Sequence, residues 1–102
     1  MWRTIIDDET SYEETSATAG FSYGLLKAVR KGYIGYEYRE TAINALEAVK
    51  KRIDKDGTVL EVSYGTPVFE TALEYKNVEI CPMTYGQALA ILCINEGLKE
   101  GL

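Results

Sequence analysis

Between Arg3 and Lys27 the chain carries no positive charge. Residues 11–33 read SYEETSATAGFSYGLLKAVRKGY: hydroxyls alternate with Ala and Gly, and basic residues return only at Lys27, Arg30 and Lys31. A helix so poor in charge has to be covered by protein on most of its sides. Ala17, Gly20, Phe21, Gly24, Leu25 and Ala28 recur at three-and-four spacing, the period of one helix face. Four of these six are small, so a neighbouring helix can approach closely while Phe21 and Leu25 fill the gaps. Ser22, Leu26 and Val29, on the other side, are not strongly polar either. Ser11 with Glu14 forms a capping-box pattern, and Gly32 is a natural left-handed stop. The pattern predicts a helix from Ser11 to Lys31, buried on more than one side, with a small-residue seam.

Two further helices follow. Tyr38, Ala42, Ala45, Leu46, Val49 and Ile53 make one apolar face over about 36–54, opposite Glu37, Glu40, Glu47 and Lys51, with Glu47 and Lys51 as an i,i+4 pair. This predicts an amphipathic outer helix joined to the first as a hairpin. Thr84 and Gln87 open the last helix as a second capping-box pattern, and residues 85–97 are almost wholly apolar, which predicts burial. The final EGLKEGL reads as a frayed exit. Between these helices, DKDG makes a turn and TVLEVSY alternates, placing Leu60, Val62 and Tyr64 on one face of a short strand or extended segment. Residues 68–82 read as a long loop with a turn of helix near TALEYKN. The class is all-α with a short extended segment: a helical hairpin plus a buried C-terminal helix, in a single domain over 1–102. Three helices cannot bury two apolar cylinders among themselves, so the pattern implies missing partners, either another copy or the rest of a larger protein.

Composition narrows the function classes. The net charge of −5 disfavours nucleic acid and anionic membranes, both of which need clustered Lys and Arg. The basic clusters at 27–31 and 50–52 sit at helix ends, where cations complement the macrodipole. The chain has no His, which removes the commonest general base and metal ligand. Cys81 and Cys93 form no CxxC pair, so no metal site and no redox role is expected. The longest apolar run, ALAILCI, is far short of the about 20 residues of a membrane span. A reduced, cytoplasmic setting is expected.

Three stretches in order carry a resemblance. YEETSATAGFSYGLLKAVRKGY, DKDGTVLEVSYGTP and PMTYGQALAILCINE resemble successive segments of the unsaturated glucuronyl and rhamnogalacturonyl hydrolases, glycoside hydrolase families 88 and 105. The resemblance implies an (α/α)6 barrel of helical hairpins, with small-residue, apolar inner helices and amphipathic outer ones. The first and last helices here would be inner and the second outer. It covers only the C-terminal part of the family, so the missing partner would be the N-terminal part. It implies removal of a 4,5-unsaturated uronic acid from lyase-generated oligosaccharides: an Asp protonates the vinyl ether and helps water attack. No cofactor is implied.

That Asp, and the His, Trp and Arg residues of the family's uronate site, lie upstream of the matching region, so no catalytic residue is assigned. The remaining acids Asp7, Asp8, Asp54 and Asp56 read as solvated turn residues. The candidate substrate-binding set is Glu14, Tyr64, Thr66 and Tyr85. Glu14 matches an acidic residue before the Ser-rich inner helix; the other reading, as a capping-box member, is the one its spacing from Ser11 favours. Tyr64 and Thr66 lie in SYGT, where hydroxyls and aromatics suit a sugar at a barrel mouth. Tyr85 begins an inner helix whose N-terminus suits an anionic group; the other reading of that turn is capping through Thr84 and Gln87. The expected partners are an unsaturated uronate oligosaccharide and either the N-terminal part or another copy. The rival reading is a non-catalytic helical module that homo-oligomerises through open barrel edges.

Overall fold

A computed structural model describes residues 1–102. It contains four helices, α1 Thr15–Arg30, α2 Arg39–Lys50, α3 Ala72–Lys76 and α4 Thr84–Lys99, with a 3-10 turn at Tyr36–Tyr38 leading into α2. There is no strand; isolated antiparallel bridges join Arg3 to Glu13, Ile53 to Val59 and Ser63 to Ile80. The chain is all-α, as its patterning predicts, and α3 falls within TALEYKN. No helix is long and apolar enough to cross a membrane.

Helix α1 is central and packs against both α2 and α4. The core joins Leu26 of α1, Leu46 and Val49 of α2, Val59 and Val62 of the extended segment, and Ala90 and Cys93 of α4. Ala42, Ala45, Leu46 and Val49 are the buried residues of α2, the face expected of an outer helix. Its surface ion pair is Lys50 with Glu47 at 2.8 Å, where the sequence favours Lys51.

Only part of the expected seam of α1 meets another helix: a Cβ on Gly20 would stand 3.7 Å from Leu89 Cδ2 of α4. The buried positions of α1 are Thr15, Ser16, Thr18, Ala19, Ser22 and Leu26, whereas Ala17, Phe21 and Gly24 are exposed. The hydroxyl face can turn inward because all but one of its hydroxyls find acceptors; Thr15 Oγ1 is buried without a partner. Thr18 Oγ1 donates to the Glu14 carbonyl at 2.8 Å, and Ser22 Oγ donates to the Ala42 carbonyl at 2.8 Å, pinning α1 to α2. The close approaches come instead from α4. A Cβ on Gly97 would stand 2.6 Å from Leu46 Cδ2, and one on Gly86 2.8 Å from Val62 Cγ2.

Helix α4 is buried on one face only. Ile91, Leu92 and Leu98 are exposed, while Glu96 is 1% exposed. The inversion has an electrostatic reason: Arg30 Nε donates to Glu96 Oε1 at 2.5 Å, and Lys99 stands 3.4 Å from Oε2. Arg30 holds the Glu96 carboxyl below its ordinary range. The exit is capped rather than frayed. Gly101, at φ 75°, turns the chain so that its N–H bonds the Leu98 carbonyl and that of Leu102 bonds Gly97, a Schellman closure. Gly32 closes α1 in the same way, its N–H on Val29 and that of Tyr33 on Ala28, as predicted.

Neither capping box forms. Helix α1 starts at Thr15 with Glu14 as its own N-cap. Ser11 Oγ is engaged elsewhere, donating toward the carbonyls of Ile5 and Asp8 and accepting from Ile5 N–H. Gln87 reaches away from its helix: its side-chain oxygen accepts from Val59 N–H and its amide donates to the Gly57 carbonyl. The strand-like alternation of 58–64 also fails. Glu61 has φ 58°, so Val62 and Ser63 are both buried while Leu60 and Tyr64 are exposed.

Candidate functional site

A cleft of about 540 Å³ opens where the N-terminal ends of α1 and α4 meet the extended segment; Glu14, Ser16, Ser63, Thr66 and Tyr85 line it, with Arg3 at its edge. Three of the four candidate residues converge here: Glu14, Thr66 and Tyr85. Tyr64 does not; it is 59% exposed and stands outside the lining.

Glu14 is the most constrained group of the cleft. Its carboxylate accepts from Ser16 Oγ at 2.7 and 2.9 Å, from Ala17 N–H at 2.6 Å and from Ser63 N–H at 3.0 Å. Glu14 thus caps α1 as its N-cap rather than as a capping-box partner of Ser11, and it also lines the cleft. Its negative charge occupies the N-terminus of α1, where backbone N–H groups favour an anion. No side chain caps the N-terminus of α4.

Ser63 is gripped through every polar atom. Besides its N–H on Glu14, its hydroxyl is 2.8 Å from Tyr12 Oη, and its carbonyl accepts from the Tyr85 hydroxyl. Burial pushes the Tyr85 phenol above its ordinary pKa, with the Glu14 carboxylate adding to the rise, so it stays a donor. The extended segment is also pinned from outside by Tyr64 N–H to the Glu79 carbonyl and Cys81 N–H to the Val62 carbonyl. The result is a rigid ledge at Ser63 followed by the exposed Gly65 and Thr66.

Arg3 is a lining residue that sequence reasoning passed over. Its Nη1 donates to the Ser11 carbonyl at 2.8 Å, and Nη2 lies 3.9 Å from Glu13 Oε1. The available signal was its position as the lone cation before Lys27. Ser63 was noticed only as part of SYGT; its role depends on partners far away in sequence. No three His, Cys, Asp or Glu side chains converge as a metal-binding group. Asp8 is not simply solvated: Lys76 Nζ stands 2.8 Å from it.

Two apolar-faced helices beside an amphipathic one, with a polar cleft at their N-terminal ends, describe part of a helical-hairpin toroid of the glycoside hydrolase type. Residues 1–100 match the family model described as Glycosyl Hydrolase Family 88, and the chain belongs to this family. Over 100 residues it is 35% identical to the unsaturated rhamnogalacturonyl hydrolase YesR of Bacillus subtilis (strain 168), covering 97% of this chain and 27% of that protein. Among solved structures, a possible member of the GH105 family from Salmonella enterica serovar Paratyphi A superposes with a TM-score of 0.96 at 42% identity. One from Klebsiella pneumoniae gives 0.95 at 43%; both matches cover all of this chain and 27% of the other. A family 105 glycoside hydrolase from C. acetobutylicum, at 24% identity and a TM-score of 0.83, shares the fold. The chain therefore spans little more than a quarter of the length of the first three relatives.

Proposed function

We propose that the chain is a C-terminal segment of an unsaturated uronyl, specifically rhamnogalacturonyl, hydrolase-like protein, and that it contributes one wall of the cleft that holds lyase-generated oligosaccharides. The observation that carries this reading is the convergence of Glu14, Thr66 and Tyr85 on one cleft in a chain similar to a rhamnogalacturonyl hydrolase. Thr66 offers a free hydroxyl to a sugar. Tyr85, Tyr12 and Glu14 act behind it by fixing Ser63, so that the ledge is set before a ligand arrives. The uncapped start of α4 presents positive partial charge toward the same space, which suits a uronate carboxylate.

The chain alone binds without turning over. Protonation of the vinyl ether needs a carboxylic acid facing the ligand, and Glu14 is committed to three hydrogen-bond donors. The test pairs two measurements on an unsaturated rhamnogalacturonyl disaccharide. Loss of the unsaturated uronate's absorbance should match buffer, while calorimetric titration should show saturable binding that Thr66→Ala weakens. Turnover above buffer contradicts the assignment of the acid to the upstream region, and absence of binding contradicts the cleft.

A second reading is favoured by the exposed apolar residues Phe21, Ile91, Leu92 and Leu98: a non-catalytic module that associates with itself. Light scattering separates the two, since a monomer at high concentration is incompatible with self-association through those faces.

A further inference from the structure

Several elements wall the polar cleft. Thr66 and Tyr85 come from the extended segment and α4, Glu14 and Ser16 from the start of α1, and Arg3 from the N-terminal arm; Arg3 is the only cation in the lining. The arm is held by its backbone. Thr4 N–H donates to the Tyr12 carbonyl at 2.9 Å and Glu14 N–H to the Trp2 carbonyl at 3.0 Å, so Arg3 and Glu13 face each other across an antiparallel bridge. The guanidinium is fixed in turn, its Nη1 donating to the Ser11 carbonyl at 2.8 Å. The side chain is still 36% exposed, so a ligand can reach it.

Charges of alternating sign run from Arg3 through Glu13 and Arg52 to Glu61. Arg52 Nη2 stands 2.5 Å from Glu13 Oε2, and its Nε 3.2 Å from Glu61 Oε2. Glu13 is thereby committed to Arg52. Its other oxygen lies 3.9 Å from Arg3 Nη2, beyond a hydrogen bond. The hydrogen bond that Arg3 does make goes to a neutral carbonyl. Arg3 is the positive end of the row, and that end borders the cleft. Glu14, the only acid in the lining, opposes an anion weakly. Ser16, Ala17 and Ser63 already donate to its carboxylate, and the N-terminus of α1 offsets its charge.

We propose that Arg3 binds the carboxylate of a second galacturonate, one repeat beyond the unsaturated sugar, and so makes the cleft favour longer rhamnogalacturonan fragments over the disaccharide. The inference rests on the reading of the cleft as a rhamnogalacturonyl site, and it names which substrates that site favours. A rhamnogalacturonan chain alternates rhamnose with galacturonate, so a fragment longer than a disaccharide carries a carboxylate on every second sugar. The start of α4 suits the first carboxylate. Arg3 stands on another wall, and a guanidinium grips a carboxylate through two parallel N–H bonds. Held beforehand by Ser11 and by the arm, it loses little freedom on binding.

The test is calorimetric titration of the 102-residue chain with the unsaturated disaccharide, the unsaturated tetrasaccharide, and that tetrasaccharide methyl-esterified at its second galacturonate. The tetrasaccharide should bind about tenfold tighter than the disaccharide, the size of one charge-assisted contact, and the ester should lose that advantage. Arg3→Gln should reduce the advantage to about twofold or less, while Arg3→Lys, a point charge without the fork, should keep part of it. In the unaltered chain the advantage should shrink as salt is raised, a readout that needs no variant. Equal affinity for the tetrasaccharide and its ester, or an advantage insensitive to salt, overturns the proposal. So does Arg3→Gln with the ratio of the two affinities unchanged, whether or not both fall, because a merely structural Arg3 would leave that ratio alone. Binding of the disaccharide with no gain from length overturns this inference and leaves the cleft reading standing. Absence of binding by every sugar overturns the cleft reading and this inference with it.

Discussion

The backbone N–H of Ser63 donates to Oε1 of Glu14 at 3.0 Å, from 49 positions further along the chain. The same carboxylate accepts Ala17 N–H at the first turn of α1. One acidic side chain therefore starts the central helix and fixes the ledge of the cleft against it.

Replacing that carboxylate should loosen both. Glu14→Ala leaves the amides of Ala17 and Ser63 without their acceptor in a buried site, which costs about 1–3 kcal/mol. Glu14→Gln keeps an acceptor oxygen and should lose less. Urea unfolding of the two variants checks the order, and equal losses would show that side-chain volume, not hydrogen bonding, holds the ledge.

The pair Arg30 and Glu96 gives a sharper contrast. Removing one partner of a buried ion pair strands the other, at about 3–5 kcal/mol for a fully buried pair. Arg30 is partly exposed and Lys99 lies near, so Arg30→Ala should lower Tm by less than the loss of a fully buried partner would. The double variant Arg30→Met with Glu96→Leu should recover most of this loss in thermal unfolding.

Two glycines should respond in opposite directions to Ala. Gly97→Ala gains helix propensity but drives its Cβ against Leu46. Overpacking of this kind costs about 1–3 kcal/mol, so destabilisation is expected. Gly24→Ala meets nothing and should stabilise the chain by about 0.5–1 kcal/mol. Chemical denaturation of both tests whether the tight seam belongs to α4.

Acid should unfold the chain through its tied carboxylates. Lys76 and Thr10 lower the Asp8 pKa from 3.8 to about 2, and Arg30 lowers that of Glu96. A carboxyl depressed in the folded state contributes stability above its unfolded pKa and loses it as pH falls through the folded value. For Asp8 that window runs from pH 3.8 down to about 2. Asp8→Asn should flatten the acid limb of a Tm-against-pH curve there and leave its shape near neutrality unchanged.

Locally encoded features were legible in the sequence. The Gly32 stop depends on one glycine and its near neighbours, and the buried face of α2 follows from period alone. Features with distant partners were not. Ser11, Thr84 and Gln87 match capping patterns, but Ser11 and Gln87 satisfy groups outside those helices. The charge-poor α1 offered two plausible inner faces, and only the positions of α2 and α4 decide that Ser22 and Leu26 turn inward. The alternation of 58–64 assumes regular extended backbone, and the left-handed Glu61 has no mark in it that period alone reveals. Glu14 was placed at the cleft on resemblance, and its three-way grip could not be read from neighbouring residues.

The decisive question is whether the ledge at Ser63 receives a uronate sugar. The measurement is a two-dimensional NMR titration of backbone amides with an unsaturated rhamnogalacturonyl disaccharide. Saturable shifts are expected at Ser63, Gly65, Thr66 and Tyr85, with the exposed face of α2 unchanged. Shifts confined to residues outside the cleft, or none at saturating sugar, would contradict it.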